Sequence, residues 1–428
     1  MLNAQLFTWI VAFFLLSSAA CRIWLVTRQL RHVMQHRGQV PTAFQAQISL
    51  ADHQKAADYT RAKLRLILIE LPIEVGLLLG LTWFGGLESL NQWLIGQLGP
   101  GMLSALGLFV VITVLAGCVS LPLQWYRQFH LEQAFGFNRM TPMLFVRDLG
   151  VSSLLTACLG LPLLWLLLTL MQRLDQDWWW AAWLTLSLFQ FSLLLIYPRW
   201  IAPLFNRFTP LSDADLKARI EALLARCQFN HQEILVMDGS KRSSHGNAYF
   251  TGFGRHKRIV FFDTLLNRLA PGEIEAVLAH ELGHYKKRHL HKGLIVSLSL
   301  SLLLFYVLGW CLNQSWFYTG LGVTPPLLME ETTALNRYAL ALILFFLVLP
   351  VFTFFFSPIF SVLSRRHEFE ADAFACQQAR GEDLISALLK LYQDNAATLT
   401  PDPLYSAVVD SHPPAPVRIA HIQTQLRS

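Results

Sequence analysis

Seven long apolar runs constrain the fold of this chain more than any other feature. A helix needs roughly 20 mostly apolar residues to cross the hydrocarbon core of a bilayer. Only 14% of the residues are charged, whereas a soluble domain carries about a quarter. The sequence therefore predicts a predominantly α-helical membrane protein with about seven transmembrane helices. The runs are residues 7–26, 64–84, 102–123, 151–171, 178–197, 294–312 and 338–356.

The basic residues between these runs predict how the chain is oriented. Cytoplasmic loops of membrane proteins are enriched in Lys and Arg. Segments 27–63, 124–150, 198–293 and 357–428 carry several basic residues each, whereas 85–101 has none. We expect an integral, multi-pass protein with its N-terminus outside and both long hydrophilic segments on the cytoplasmic side. The membrane would be a bacterial inner membrane or, in a eukaryote, the endoplasmic reticulum. These loops also explain the net charge of +6, so no nucleic-acid partner is expected.

The runs divide the chain into four parts. Residues 1–197 carry the first five predicted membrane helices and their loops, and residues 294–356 carry the last two. Residues 198–293 and 357–428 are hydrophilic enough to hold a folded cytoplasmic part. The first of these reads as mixed α/β by its periodicity. Its predicted elements are helices over 213–227 and 272–289 and strands over 233–237 and 258–262.

The clearest chemical signal is His280-Glu281-Leu282-Gly283-His284. Residues four apart share one helix face, so both imidazoles can bind one ion. Glu281 is turned by about 100° from His280, which suits a general base beside a metal rather than a ligand on it. The alternative is a helix with two solvated histidines near a membrane boundary.

A catalytic zinc takes three protein ligands and keeps one position open. The stretch Glu368-Phe-Glu-Ala-Asp372 can supply the third ligand, since its outer carboxylates also lie four residues apart. Glu368 would bind one Zn²⁺ per chain, and Asp372 would accept the outer N–H of a ligand histidine, His280 by our interpretation. Glu370 points elsewhere and is not expected to be a ligand. A solvated acidic helix face is the alternative.

Two other groups of ionisable residues lie next to apolar runs. His289 and His291 follow three basic residues, which is typical of a helix end anchored to lipid headgroups, so they are not expected to be ligands. Glu70 and Glu74 lie inside the second run. Ionisable residues within a membrane indicate a functional surface, but these two lie near its cytoplasmic end and could equally reach interfacial water.

Five further stretches, taken in order with the two motifs above, carry a family resemblance. They are Phe135-Gly-Phe-Asn-Arg139, Ile201-Ala-Pro-Leu-Phe-Asn206, Ser244-His-Gly-Asn-Ala-Tyr249, Arg258-Ile-Val-Phe-Phe-Asp-Thr-Leu-Leu266 and His412-Pro-Pro414. The chain resembles the integral-membrane CAAX prenyl protease family, zinc metalloendopeptidases of the gluzincin type. The resemblance implies membrane helices that enclose a water-filled chamber, with a zincin-like α/β catalytic part at its cytoplasmic end.

The resemblance also implies roles for single residues. Asn247, Ala248 and Tyr249 resemble the edge on which an extended peptide is aligned, although Gly-Asn is also an ordinary turn. His412 resembles the histidine that stabilises the oxyanion, and Arg418 the arginine that braces the acidic residues of the metal site. The chain departs from the family at 415–417, where Ala-Pro-Val stands, and at 150, where a glycine replaces a basic residue.

These observations predict a membrane zinc metalloendopeptidase whose substrate is a peptide or protein, possibly prenylated, and whose surroundings are the lipid bilayer. Three alternatives stay open. An intramembrane protease would keep its motif inside a span, whereas residues 272–292 are polar. A channel-like or transporter-like protein without catalysis would not need the three ligands and the base. A quality-control endopeptidase acting on unfolded or membrane proteins would use the same catalytic residues.

Overall fold

The structure is a computed structural model that describes residues 3–230, 233–252, 257–324 and 331–427. The described chain is predominantly helical, with one small sheet. The first part consists of six helices, three of which begin at a polar cap. Asn3, Ser49 and Thr141 each accept a backbone N–H of the first turn through the side-chain oxygen, which satisfies a group left unpaired at a helix start. The helices are α1 (Ala4–Gln35), α2 (Leu50–Leu81), α3 (Gly86–Leu98), α4 (Met102–Tyr126), α5 (Pro142–Arg173) and α6 (Trp178–Ile196).

The middle part is compact and mixes strands with helices. The four strands lie in the order β1-β2-β4-β3, with β2 and β4 parallel and the other two pairs antiparallel. Strand β3 therefore lies at one edge of the sheet. The elements are α7 (Ala202–Phe205), β1 (Phe208–Pro210), α8 (Ala214–Arg226), β2 (Glu233–Met237), β3 (Ala248–Thr251), β4 (Arg258–Phe262), α9 (Asp263–Leu266) and α10 (Pro271–Lys286).

The last part returns to long helices and ends in three shorter ones. Helix α13 passes through a single 3₁₀ turn at Phe354–Phe356 directly into α14, so no loop separates them. The elements are α11 (His289–Leu312), α12 (Ser315–Thr319), α13 (Glu331–Thr353), α14 (Ser357–Gln378), α15 (Gly381–Asp394), α16 (Pro403–Val409) and α17 (Ala415–Arg427).

Six helical segments in the described ranges are long and apolar enough to cross a membrane. The predicted count of seven is therefore approximate. The predicted second span falls on α2, which is 32 residues long, but Arg65, Glu70 and Glu74 lower its apolar character. The six segments are Ala4–Gln35, Met102–Glu132, Pro142–Arg173, Trp178–Phe205, His289–Leu312 and Ala334–Gln378.

The two glutamates of α2 are paired with arginines of other segments. Glu74 lies 2.9 Å from Arg22 of α1, and Glu70 pairs with Arg127, which follows α4. All four side chains keep some solvent exposure. The pairs neutralise carboxylates that a bilayer interior would otherwise penalise.

The two hydrophilic segments pack around a common hydrophobic core. Ile220 of α8, Phe261 of β4, Leu282 of α10 and Leu384 of α15 are all nearly inaccessible to solvent and belong to one cluster. Burial of apolar area is the main force holding such a core together. Segments 198–293 and 357–428 therefore form one folded unit, even though α11 and α13 lie between them in sequence. The prediction of a predominantly helical membrane protein with an α/β part is confirmed.

Candidate metal centre

Helix α10 is the scaffold of the site, and its first turn is held firmly. Pro271 occupies the first helical position, where its missing N–H costs nothing. The buried carboxylate of Glu273 accepts the N–H of Ala270 at 2.7 Å and pairs with Lys390 of α15 at 2.7 Å. The carboxylate of Glu273 therefore both caps the start of α10 and joins it to α15.

Helix α14 lies against α10 at backbone-contact distance. A Cβ atom added to Gly283 would meet the Cα atom of Ala371 at 2.8 Å and its carbonyl oxygen at 3.0 Å. Only glycine fits at this contact without displacing one helix. The small residues Gly283 and Ala371 thus allow side chains on the two helices to share one site.

The contact brings the three predicted ligand residues together. The Nε2 atoms of His280 and His284 lie 3.2 Å apart. Glu368 places Oε2 at 3.5 Å from Nε2 of His280 and Oε1 at 3.3 Å from Nε2 of His284. Of the described residues, these three form a group whose ligand atoms all lie within 4.8 Å of one another.

These spacings fit a divalent ion in tetrahedral coordination. Zinc ligands lie about 2.0–2.1 Å from the ion, so two of them are about 3.3 Å apart. In addition, Oε2 of Glu368 is buried and has no hydrogen-bond partner. An unpaired buried carboxylate oxygen is costly, and a bound cation would satisfy it. The two imidazoles and the carboxylate therefore suit a catalytic metal.

One side of the site, which we call the inner half, contains His280, Glu368, Asp372 and Arg418, and their side chains are at most 9% exposed. Asp372 Oδ1 lies 2.8 Å from Nδ1 of His280. Arg418 donates to both oxygens of Asp372, at 2.6 and 2.9 Å. The arginine charge compensates the buried carboxylates, and the carboxylate can hold the His280 ring with Nε2 facing the other ligands.

This surrounding changes the protonation of His280. Burial alone disfavours the charged imidazolium, but the nearby carboxylates of Asp372 and Glu368 outweigh it and raise the pKa of His280 to about 9. The raised pKa thus reflects the two carboxylates that face the ring.

The other side, which we call the outer half, contains His284, His289, Glu370 and His412. His289, expected to be a boundary residue, is buried, and its Nδ1 lies 3.0 Å from Nδ1 of His284. Glu370 contacts the other nitrogen of His289 at 3.0 Å. Sequence analysis missed this position, because the sequence does not show that α10 ends before Arg288, whose φ is +56°, and that α11 begins at His289.

A cavity of about 360 Å³ opens beside the three ligand residues. Glu281 and His412 line it together with His280 and Glu368. His412 is 62% exposed, and its Nε2 lies 3.4 Å from Oε1 of Glu368. Glu281 is partly exposed. Both side chains can therefore reach a substrate in this cavity. Tyr392 and Asn395 of the α15 end also line it, although no sequence motif marks them.

The three predicted substrate-binding residues separate into two groups. Asn247 and Ala248 line the cavity at the start of edge strand β3. The side chain of Tyr249 lies on the opposite face of the sheet, packed beside Phe262 and Val260. Alternation of side chains along a strand explains the difference. An edge strand presents backbone groups that an extended peptide can pair with.

The chain matches two known families along most of its length. Residues 29–207 match the family described as CAAX prenyl protease N-terminal, five membrane helices. Residues 210–426 match peptidase family M48. The second match spans α10, α14 and α17, which carry the three predicted ligand residues together with Asp372 and Arg418.

Individual proteins are similar over much of their length. CAAX prenyl protease 1 of Saccharomyces cerevisiae is 37% identical over 313 residues, which is 71% of this chain and 68% of that protein. The human CAAX prenyl protease 1 homolog is 33% identical over 359 residues, or 74% and 72% of the two chains. The crystal structure of S. mikatae Ste24p superposes with a TM-score of 0.88 at 32% identity, covering 97% of this chain and 98% of that one.

Proposed function

This chain belongs to the CAAX prenyl proteases of peptidase family M48 and is a membrane metalloendopeptidase, and from that premise we propose that its metal is a single zinc ion. His280, His284 and Glu368 would hold it, with Asp372 and Arg418 as braces. The observation that supports this most directly is the spacing of the three ligand atoms, 3.2 to 3.5 Å, which matches tetrahedral zinc.

Different residues around the cavity would contribute to different steps of peptide hydrolysis. When bound, zinc supplies Lewis-acid polarisation and a lowered pKa for water. Glu281 would accept a proton from the attacking water and pass it to the leaving amine. His412 would donate a hydrogen bond to the oxygen of the scissile carbonyl as negative charge develops there. Asn247 and Ala248 would align the peptide as an added strand beside β3, with Tyr249 contributing only its backbone.

A pair of substitutions tests these assignments. Glu281→Gln should keep one zinc per chain and reduce kcat by about 10²–10⁴-fold, since the base is lost and the ligands are intact. His284→Ala should lose both metal and activity. The measurements are elemental analysis and cleavage of a fluorogenic peptide by the purified protein in detergent. Glu221→Gln, at an exposed position of α8, is the matched control. Wild-type turnover in Glu281→Gln, or wild-type protein without stoichiometric metal, contradicts the proposal.

We propose prenylated CAAX-type peptides as the substrate class, because the curated relatives carry that name. One peptide sequence should be compared in farnesylated and unmodified forms at the same enzyme concentration. A higher kcat/KM for the farnesylated form is expected. Equal cleavage of both, or preferred cleavage of an unfolded membrane protein, would instead indicate a quality-control endopeptidase. In both cases the loss of activity in Glu281→Gln identifies the same site.

We further propose that the metal centre faces the cytoplasm and that the N-terminus lies outside, with the helices embedded in a bacterial inner membrane or in the endoplasmic reticulum of a eukaryote. The basic loops 27–63, 124–150 and 198–293 support this orientation. Reporter fusions at residues 99 and 428 distinguish it from the reverse. The reporter at 99 should report the outer side and that at 428 the cytoplasm, and the opposite result would refute the orientation.

A further inference from the structure

We infer that His289 and Glu370 position the ligand histidine His284, as Asp372 and Arg418 brace His280. This inference rests on the proposed metal site and adds two residues to it. The HExxH pattern includes neither residue. The role is one of positioning, because neither side chain is among the three ligands.

The contacts form a chain of three groups that ends at the metal site. His284 has Nε2 directed at Glu368, 3.3 Å away, and Nδ1 directed at Nδ1 of His289, 3.0 Å away. His289 in turn directs Nε2 at Oε2 of Glu370, also at 3.0 Å. The Nδ1 atoms of the two histidines thus face each other, and Nε2 of His289 faces the carboxylate of Glu370.

The acceptor at the far end of this chain determines where the protons lie. Glu370 is a carboxylate and can only accept, so His289 carries its proton on Nε2 and leaves Nδ1 as an acceptor. His284 then donates through Nδ1–H, which leaves the lone pair of Nε2 free for a metal. A ligand histidine commonly makes such a contact with its second nitrogen. Here a neutral imidazole stands between the ligand and the carboxylate.

The backbone and the neighbouring helix keep His289 in place. Arg288 adopts a left-handed conformation with φ of +56° between α10 and α11, and His289, the first residue of α11, contacts His284. The ring of His367 on α14 stacks on His289 with centroids 3.9 Å apart and planes inclined by 12°. Only 6% of the His289 side chain is exposed. Its ring orientation is therefore fixed by packing as well as by hydrogen bonds.

Metal retention tests this inference separately from catalysis. His289→Ala should weaken zinc binding by about 10–100-fold, measured by competition with a chromophoric chelator. His289→Asn keeps an acceptor near the former Nδ1 and should restore most of the affinity. Glu370→Ala should show a smaller loss than His289→Ala. His291→Ala, two residues along the same helix and exposed, is the matched control and should bind zinc like the wild type.

The outcomes separate this inference from the proposed function. If His284→Ala loses zinc while His289→Ala holds it as tightly as the wild type, the inference is wrong and the metal site stands. Equal weakening in His289→Ala and His289→Asn would also overturn it, because the acceptor would then not matter. If His289→Ala does not fold, Glu370→Ala decides, and unchanged zinc affinity there refutes the chain of contacts. Zinc retained in His284→Ala would refute the proposed function itself.

Discussion

The inner and outer halves of the metal centre hold their histidines by different physical means. In the inner half, Asp372 is fully buried and Arg418 is 8% exposed, and the two form a charged pair next to His280. In the outer half, Glu370 is 46% exposed and contacts His284 only through a neutral imidazole. His280 is therefore contacted by buried charged groups, whereas His284 is contacted by the buried imidazole of His289, which in turn contacts the half-exposed carboxylate of Glu370.

Removal of a side chain should therefore have different effects on stability in the two halves. Removing one partner of a buried charged pair leaves the other charge uncompensated, which costs several kcal/mol. Removing a group near solvent lets water replace the lost contact at little cost. The contacts of the inner half should therefore contribute to both folding and metal binding, while changes at the exposed Glu370 and His412 of the outer half should affect function and leave folding intact.

The largest effect is expected from Asp372→Ala in the inner half. The change removes the closer carboxylate partner of the buried Arg418 and leaves Glu368 at 3.4 Å, and it should lower the free energy of unfolding by about 3–5 kcal/mol. The thermal unfolding midpoint of the purified protein and its zinc content measure the two consequences. Asp215→Ala, at an exposed position of α8, should change neither the unfolding midpoint nor the zinc content. Zinc loss without a lower unfolding midpoint would mean that the inner half does not link folding stability to metal binding.

His412→Ala should have the next largest effect, confined to catalysis. We expect kcat to fall by about 10²–10³-fold, as when one donor to a developing oxyanion is removed. Because this side chain is 62% exposed, the unfolding midpoint and zinc content should stay at wild-type values. Steady-state kinetics with metal analysis on the same preparation measures both. A fall in zinc content would place His412 among the ligands and remove the distinction between the halves.

Gly283→Ala tests the contact on which both halves depend. The added methyl group would push α14 away at Ala371, which should cost about 1–3 kcal/mol of stability and separate Glu368 from both histidines. Zinc affinity should fall together with the unfolding midpoint. Gly150→Ala is the control, since nothing lies within 4 Å of a Cβ atom there. If Gly283→Ala unfolds like the wild type, the helices do not need this close approach.

Glu273→Gln gives the smallest expected effect and shows how a buried carboxylate of α10 behaves away from the ligands. Burial opposes its charge, but hydrogen bonds from Lys390 and Ser386 hold the pKa of Glu273 below its usual value. Because Lys390 is 42% exposed, the loss should be about 1 kcal/mol.

The pH dependence of that loss follows from the lowered pKa. The carboxylate stabilises the folded state above its ordinary pKa, and this contribution disappears as the pH falls through the lowered value. The unfolding midpoints of wild type and Glu273→Gln should therefore converge toward low pH. Zinc content should be equal in both at neutral pH. A gap that widens on acidification would contradict the assigned sign.

Much of the fold could be predicted from periodicity, while tertiary contacts could not. Strands β2 and β4 were predicted at their observed bounds, because their apolar runs are short and bounded by polar residues. Strand β3 was not predicted as a strand, since four residues give too little periodicity. Helix α2 begins at Leu50, well before the predicted span, because its first turns are polar and hydropathy marks only the apolar part.

Within the site, spacing in the chain identified residues on one helix but not those across a turn. His280, His284, Glu368 and Asp372 each have a partner four residues away, which the helical repeat brings to one face. His289 follows His284 by five residues and reaches it only because the chain turns at Arg288. The side-chain direction of Tyr249 depended on the register of β3 with β4, which no local pattern contains.

Helix α13 continues without a loop into α14, so a tilt of the membrane helix would also move the carboxylate of Glu368. It lies 12 residues beyond the 3₁₀ turn that ends at Phe356, a distance of about 18 Å along a helix. Tilting this helix by about 5°, as bilayers of different thickness do to membrane helices, would displace that end by about 1.5 Å. Metal–ligand distances tolerate only about 0.2 Å. The close contact of Gly283 with Ala371 therefore requires α10 and α14 to move together if the three candidate ligand atoms are to keep their spacing.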